Sequence, residues 1–516
     1  MLWLTDNLSF ADNISMSSIA AKIEAGVKPA GKIHIPLKWL RIPLVALITL
    51  AIAIGLLYSA DRTFLVFAII LGFIAILVEP FIGALLYVVL LYTRPMEIIS
   101  ATRGMPLMRY LALGTLGIWL IHVVIHRKRD FVKAPQNYLM LAFLVILVVS
   151  QRTYVHGIID ILIGDFAKIV IIYFLLVNLV NTEKRLQVTI WILMLSTLWV
   201  SIHSILLSRG IVIGDIELSQ GTRVTSSGIF GDPNDLAQAI VVAIPFVFNL
   251  FFHERSALKK LILGVTGVIM LYAFLLTGSR GGFIGLAVVM FFLLRKKAGI
   301  FLGSAFALIA LVGLLFVAPS STVDRVRTIS PYDDTGGARI QLWYEGWQMF
   351  LSNPIMGVGK DNFVEHEPTR HVAHNSFVHV AAELGFIGLF IWIGLLYFSF
   401  KALNNTRKLY VNVNNVLFSD PGHRTSDSEL PELSRAHVLS DSLMVSMIGF
   451  ASTAFFLSRQ YEYLPYILIA LSVALYQLAN KDKGLKLAFS IEELRNVLLV
   501  TFMFLVVWSG ILKAFA

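Results

Sequence analysis

Apolar runs dominate the chain, and they are continuous rather than alternating. Stretches near 39–59, 64–79, 81–93, 107–125, 138–150, 163–180, 187–207, 234–252, 260–276, 282–294, 299–317, 376–400, 437–457, 463–479 and 495–514 carry few charges. About 20 such residues, wound as a helix, cross roughly 30 Å of hydrocarbon. Several runs are short, and 64–79 and 81–93, parted by Glu79-Pro80, read as a hairpin or re-entrant pair. The pattern therefore predicts an all-α, polytopic integral membrane protein with about 12 to 15 transmembrane helices.

Composition sharpens this. With 516 residues, 57% of them hydrophobic and 14% charged, no water-facing surface of that size could be covered. Absence of cysteine removes disulfide and thiolate chemistry. The formal net charge of +10 invites a nucleic-acid partner, but in a polytopic protein much of that excess belongs to cytoplasmic loops, so no nucleic acid is expected. Lys and Arg at 32, 38 and 41, 127–129, 184–185, 255–260, 295–297, 407–408 and 481–486 all fall on one side of the alternating crossings. The chain divides into a cytoplasmic extension (1–38), an amino-terminal membrane region (39–160), a core (161–400) holding a large periplasmic loop (318–374), a cytoplasmic loop (401–436) and carboxy-terminal helices (437–516). Met1-Leu2-Trp3-Leu4 runs into Asp6, Asn7 and Asp12 without the basic start and apolar core of a signal peptide.

The opposite face collects Arg62, Arg94, Arg103, Arg152, Arg209, Arg223, Arg280, Arg325, Arg327, Arg339, Arg370 and Arg459, with Lys360 the main lysine. Arginine on the outer side works against the topology bias, and its planar fork suits phosphate or carboxylate, so an outward-facing anion site is implied. For Arg62, Arg94 and Arg152, snorkelling to lipid headgroups explains the charge as well. Asp165 and Lys168 read as an ion pair at a membrane edge. Three outer segments stand out. In G-T-R-V-T-S-S-G-I-F-G-D-P-N-D (221–235), Asp232 or Gly231 caps a helix with Pro233 in its first turn, and Arg223 precedes it. In T-G-S-R-G-G (277–282), glycines permit a tight turn that leaves Arg280 at a mouth between two helices. The third segment carries Trp343, Trp347 and Phe350 at helical spacing with Arg339 ahead of them, then His374, which accepts a proton near neutral pH, and Asn375, an N-cap for the next helix.

The motifs R-V-T-S-S-G-I-F-G-D-P-N (223–234), S-R-G-G (279–282), R-I-Q-L-W (339–343), N-P-I-M-G-V-G (353–359), and H-N-S-F with E-L-G-F-I-G (374–388) resemble the O-antigen ligase and polymerase superfamily of bacterial envelope glycosyltransferases. The resemblance covers roughly residues 160–400. It implies a GT-C-like transferase in the bacterial inner membrane, with its active site facing the periplasm. Such an enzyme moves a glycan from an undecaprenyl-pyrophosphate carrier to a hydroxyl on a lipid-borne core sugar, a growing polysaccharide or a protein. By carry-over, Arg280 and Arg339 grip the pyrophosphate, Arg223 assists, Asn375 and Arg459 contact substrate, and His374 is general base for an inverting transfer. No cofactor and no metal are expected, since Asp333-Asp334 and Glu365-x-Glu367 read as flexible acidic stretches. The competing class is a lipid-linked oligosaccharide flippase or polysaccharide export permease, which should carry charge inside its spans and show two related halves. A third reading, an envelope scaffold, leaves the outer arginines unexplained.

Overall fold

The computed structural model describes residues 60–98, 104–125, 127, 131–151, 161, 164–212, 223–226, 228–316, 318–320, 322–323, 334–368, 370–419, 429–480 and 487–515. The expected extension at 1–38, the span at 39–59 and the arginines 103, 152, 325 and 327 lie outside these residues. The chain forms two units, Met1–Leu71 and Gly72–Ala516. Residues 60–71 are the described part of the first, and they are helical.

The helices are α1 (Ala60–Val78), α2 (Pro80–Thr93), α3 (Leu107–Ile125), α4 (Pro135–Ser150), α5 (Asp165–Leu179), α6 (Glu183–Ser208), α7 (Pro233–His253), α8 (Ala257–Thr277), α9 (Arg280–Phe316), α10 (Asp334–Ser352), α11 (Ser376–Ser419), α12 (Glu429–Ala454), α13 (Tyr463–Asn480) and α14 (Ile491–Phe515). Among the described residues, seven helices are long and apolar enough to cross a membrane, and five shorter apolar helices accompany them. The polytopic, all-helical class is thus as the sequence reads.

In the second unit α7 is central, packed against α6, α8, α9 and α12, and α13 is sheathed by α5, α11 and α12. Lipid tails are as apolar as Leu, so close van der Waals approach rather than water expulsion holds such helices together. Small residues stand at the crossings accordingly. A Cβ on Gly83 would lie 2.2 Å from Thr115, one on Gly285 2.4 Å from Thr453, and one on Gly449 2.7 Å from Val289.

Two helices differ from the spans read in sequence. The runs at 282–294 and 299–317 are both in α9, but Gly299 takes φ 77° and breaks it. A Cβ on Gly303 would sit 2.5 Å from the Arg295 backbone, so the chain folds back on itself there as a tight hairpin. The run at 376–400 extends as helix to Ser419, well into the stretch read as a polar loop, because Ala402, Leu403 and Thr406 remain buried against the bundle.

Gly385 interrupts α11 with φ 64°. The N-P-I-M-G-V-G segment enters this gap and supplies the missing backbone partners. Val358 N donates to Ala382 O (3.0 Å), Gly359 N to Glu383 O (2.8 Å) and Phe386 N to Pro354 O (2.7 Å). The approach is so close that a Cβ on Gly357 would meet Glu383 carbon at 2.2 Å, and one on Gly385 would meet Ile355 carbon at 2.4 Å. Gly357, at φ 67°, also needs the left-handed backbone that glycine adopts without penalty. Glu383 is fully buried beneath this splice and accepts from Phe363 N (3.2 Å) and Tyr461 Oη (2.9 Å), with His379 Nε2 at 3.1 Å.

The two ends of the bundle differ in charge chemistry. At one end, cations from the lysine-rich group of loops meet carboxylates: Arg185 with Glu79 at 2.6 Å, Arg407 with Asp441 at 3.2 Å, Lys296 with the same Asp441, and Lys401 with Glu493. At the other end lie the C-termini of α2, α8 and α12 and the N-termini of α7, α9, α11 and α13, joined by the contacts described next.

Candidate functional site

The D-P-N segment organises the arginine-bearing end. Asp232 caps α7 through Asn234 N (2.7 Å), with Pro233 at the first helical position. Asn234 then becomes a shared acceptor: its Oδ1 receives Arg223 Nη2 (2.9 Å) and Ser279 Oγ (2.7 Å). Arg223 Nε also donates to Thr277 O (2.9 Å), which closes off the left-handed C-terminus of α8 at Gly278. Ser279 in turn accepts from Gly282 N (3.1 Å), so it caps α9 and fixes Arg280 as that helix's first residue, half-buried.

The glycines after Arg280 have a different cause from the turn read in sequence. Gly278 alone in this segment has positive φ. Gly281 and Gly282 serve close approach, for a Cβ on the first would lie 2.5 Å from Phe456 and on the second 2.9 Å from Ala237. They seat the start of α9 against α7 and against the loop after α12.

That loop carries Arg459. Its guanidinium forms a two-pronged pair with Asp235, with Nη2 at 2.6 Å from Oδ2 and Nε on Oδ1. Its backbone N donates to Ser376 Oγ (2.9 Å), and Ser376 donates to Leu457 O (2.6 Å). Asn375 caps α11, accepting from Phe377 N (2.9 Å) and Val378 N (3.2 Å). In the sequence reading Arg459 and Asn375 contact substrate. In this structure the Arg459 fork pairs with Asp235 and the Asn375 oxygen caps α11, contacts that fix the frame around His374.

His374 immediately precedes this cap, half-buried, with φ 49°. Ala373 O next to it accepts from Trp343 Nε1 (3.0 Å), which ties α10 to the start of α11. Arg339 stands one turn before Trp343 on α10 and is half-buried. The His374 imidazole is pushed down from 6.5 to about 4, first by burial and then by the positive charge of Arg339; Arg459 adds to the effect and Asp232 opposes it. At neutral pH the ring is uncharged, a proton acceptor held among cations.

The structure thus gathers all six sequence-derived candidates, Arg223, Arg280, Arg339, His374, Asn375 and Arg459, at one end of the bundle. Sequence reasoning did not pick out Asp235, Asn234, Ser279 or Ser376. Asp235 carried a signal, since a carboxylate one turn into an apolar helix needs a partner. Among the described residues, no group of three or more His, Asp or Glu converges as a metal site requires.

A groove of about 510 Å³ begins at Trp343 and Asn375 and runs between α11, α12 and α14 past Phe377, Phe455, Phe504 and Ile511. Its walls are almost entirely apolar, and Met503 and Val507 on its rim are more than half exposed.

Residues 265–393 match the family model described as O-antigen ligase. Over 198 residues the chain is 30% identical to the teichuronic acid biosynthesis protein TuaE of Bacillus subtilis (strain 168), an alignment covering 33% of this chain and 38% of that protein. The chain therefore spans well under two thirds of this relative's length. The family match takes in Arg280, Arg339, His374 and Asn375. Both findings support the superfamily that the motifs resemble, and with it a membrane glycosyltransferase-like ligase or polymerase.

Proposed function

Taking the O-antigen ligase and polymerase superfamily as premise, we propose that the protein transfers a glycan from a polyprenyl-pyrophosphate carrier to an acceptor hydroxyl at the outer face of the cytoplasmic membrane. The observation that carries this reading is the junction of two environments: an uncharged histidine among arginines, and an apolar groove that starts at its neighbour Asn375. A lipid-linked pyrophosphate needs both, a cationic head site and an apolar path for the tail.

In the step itself, the acceptor oxygen forms a bond to the anomeric carbon as its proton passes to the His374 ring. The bond from that carbon to the pyrophosphate oxygen breaks on the opposite side, and the electron pair leaves with the carrier. Direct displacement inverts the anomeric configuration. Arg280 and Arg339 stabilise the charge that grows on the leaving pyrophosphate, which is where fixed cations lower a barrier most. Arg223 buttresses this end through Asn234. The activated bond is already present in the donor, so the step draws on no nucleotide.

The outward orientation rests on the charge alternation of the loops, with the lysine-rich end on the cytoplasmic side. The test is transfer by the purified protein from a defined undecaprenyl-pyrophosphate glycan to candidate acceptors: a lipid-borne core sugar, a second lipid-linked glycan, and a protein hydroxyl. Product with any one acceptor identifies ligase, polymerase or protein glycosyltransferase. Donor binding with no transfer to any of the three would sink the assignment.

A further inference from the structure

A second polar recess opens at the same end of the bundle, between helices that lie outside the family-matched region. A cavity of about 510 Å³ is lined by Arg94 and Glu97 after α2, Arg109 on α3, Lys168 on α5, and Tyr463 at the start of α13. An adjoining cavity of about 300 Å³ shares Arg94, Glu97 and Tyr463 with it and adds Gly228, Ile229, Tyr461 and Glu462. Together they form a continuous trough from Lys168 to the loop that carries Arg459. The combined size is in the range of sites that hold small ligands, roughly 300–1,000 Å³.

Its chemistry is mixed in an informative way. Three cations and one carboxylate face the larger cavity. Arg94 is held rather than loose: it caps α2 in the left-handed conformation, at φ 43°, and lies across Gly228 so closely that a Cβ there would be 2.3 Å from Arg94 Cγ. Its Nε is buried with no hydrogen-bond partner, and its contact with Glu97 is long, at 3.8 Å, so the protein itself under-satisfies this charge. Glu97 and Glu462 beside these cations would repel a continuous sheet of lipid phosphates, yet they are good acceptors for hydroxyls. Tyr461 and Tyr463 complete the lining. Cations for an acid group beside carboxylates for hydroxyls are the complement of an acidic sugar.

We propose that this trough is a binding subsite for an anionic sugar unit of the acceptor glycan, with Arg94, Arg109 and Lys168 recognising its acid group. Naming the acceptor's chemistry in this way rests on the transferase reading. The trough adjoins the reaction end through one loop, since Tyr461 and Glu462 line it while Arg459 of that loop pairs with Asp235 and donates to Ser376, two residues past His374. It lies outside residues 265–393, so acceptor choice is set apart from the shared chemistry of transfer.

Binding alone tests it, without any donor. The full-length protein, in nanodiscs of phosphatidylcholine, is titrated with a fluorescent oligogalacturonate and with its carboxyl-reduced neutral counterpart. The acidic probe should bind at least about tenfold more tightly, and the Arg109→Gln/Lys168→Gln double variant should lose that preference. Arg109 is exposed, so its replacement leaves the packing of α3 intact. Equal affinity for the two probes, or a double variant that keeps the preference, overturns the proposal. Repeating the titration in phosphatidylglycerol nanodiscs should leave the preference in place; its loss there, through Arg109 and Lys168, would assign the trough to lipid headgroups and also overturn it. Should the probe bind as expected while transfer fails with every acceptor, the subsite stands and the transferase reading falls.

Discussion

The depressed His374 predicts two different acid limbs in the pH dependence of transfer. In the free protein, burial and then Arg339 hold the ring's pKa at about 4. In the proposed transfer the neutral ring is the base, so activity should be present above that pKa and lost below it. A drop from 6.5 to about 4 corresponds to roughly 3 kcal/mol against protonation, leaving about one ring in a thousand charged at pH 7. Binding of the donor changes only the electrostatic part. A unit negative charge about 7 Å away, at an effective dielectric of about 20, is worth roughly 2 kcal/mol, more than one pKa unit. Pyrophosphate should therefore raise the ring's pKa at least about one unit, while burial keeps it under its ordinary value. The limb of kcat/KM, which reports the free protein, should fall near pH 4, and the limb of kcat, which reports the donor complex, about one unit or more higher. His374→Asn tolerates the left-handed backbone at this position, so it tests the base without unseating the cap. It should slow transfer at neutral pH roughly a hundredfold or more, keep donor affinity within about threefold, and abolish the acid limb. Coincident limbs, or an acid limb that survives in His374→Asn, would refute the argument.

Arg280→Lys keeps the charge but loses the planar fork, and transfer should drop about a hundredfold with normal insertion; wild-type turnover would remove Arg280 from the pyrophosphate site. Arg459→Ala leaves the Asp235 carboxylate unpaired at the protein's interior and should cost roughly 3–5 kcal/mol in stability, read as a lower thermal midpoint in detergent. Adding Asp235→Asn should recover much of that loss, and an unchanged midpoint in Arg459→Ala would show the pair to be dispensable. Gly385→Ala forces a methyl into the Ile355 backbone at φ 64° and should cost at least about 2 kcal/mol; a wild-type yield of folded protein would mean that the splice in α11 yields easily.

The membrane class was legible in the sequence, as was the gathering of the candidate arginines at one end of the bundle, because each rests on residue type. Apolar runs announce helices, and arginine where topology disfavours it marks one end of the bundle. The partners were less legible, since they join residues far apart in the chain: Arg459 pairs with Asp235 across 224 positions. Asp235 hid behind a helix-start motif that accounted for its neighbours. Glu383 was read only as part of E-L-G, because nothing local says that a loop from 354–359 will lie over it. The length of α11 was missed for a related reason. Polar residues after 400 read as a loop, but Ala402, Leu403 and Thr406 keep a buried face that carries the helix on.

The splice at Gly385 sets which parts of the site belong to one mechanical body. The first turns of α11, from Ser376 to Leu384, are bonded to the 354–359 segment, which follows directly on α10, and Trp343 of α10 holds the carbonyl beside His374. His374 and Arg339 are thus carried by one jaw. Arg223, Asn234, Ser279 and Arg280 are carried by another, built on α7, α8 and the start of α9. The Arg459 loop, gripping Asp235 on one side and Ser376 on the other, and α12, which packs on α11 as well as on α7 and α9, join the two. A displacement of one jaw against the other would therefore move across α12 and that loop together, and it would separate His374 from Arg280 without disturbing the internal geometry of either jaw.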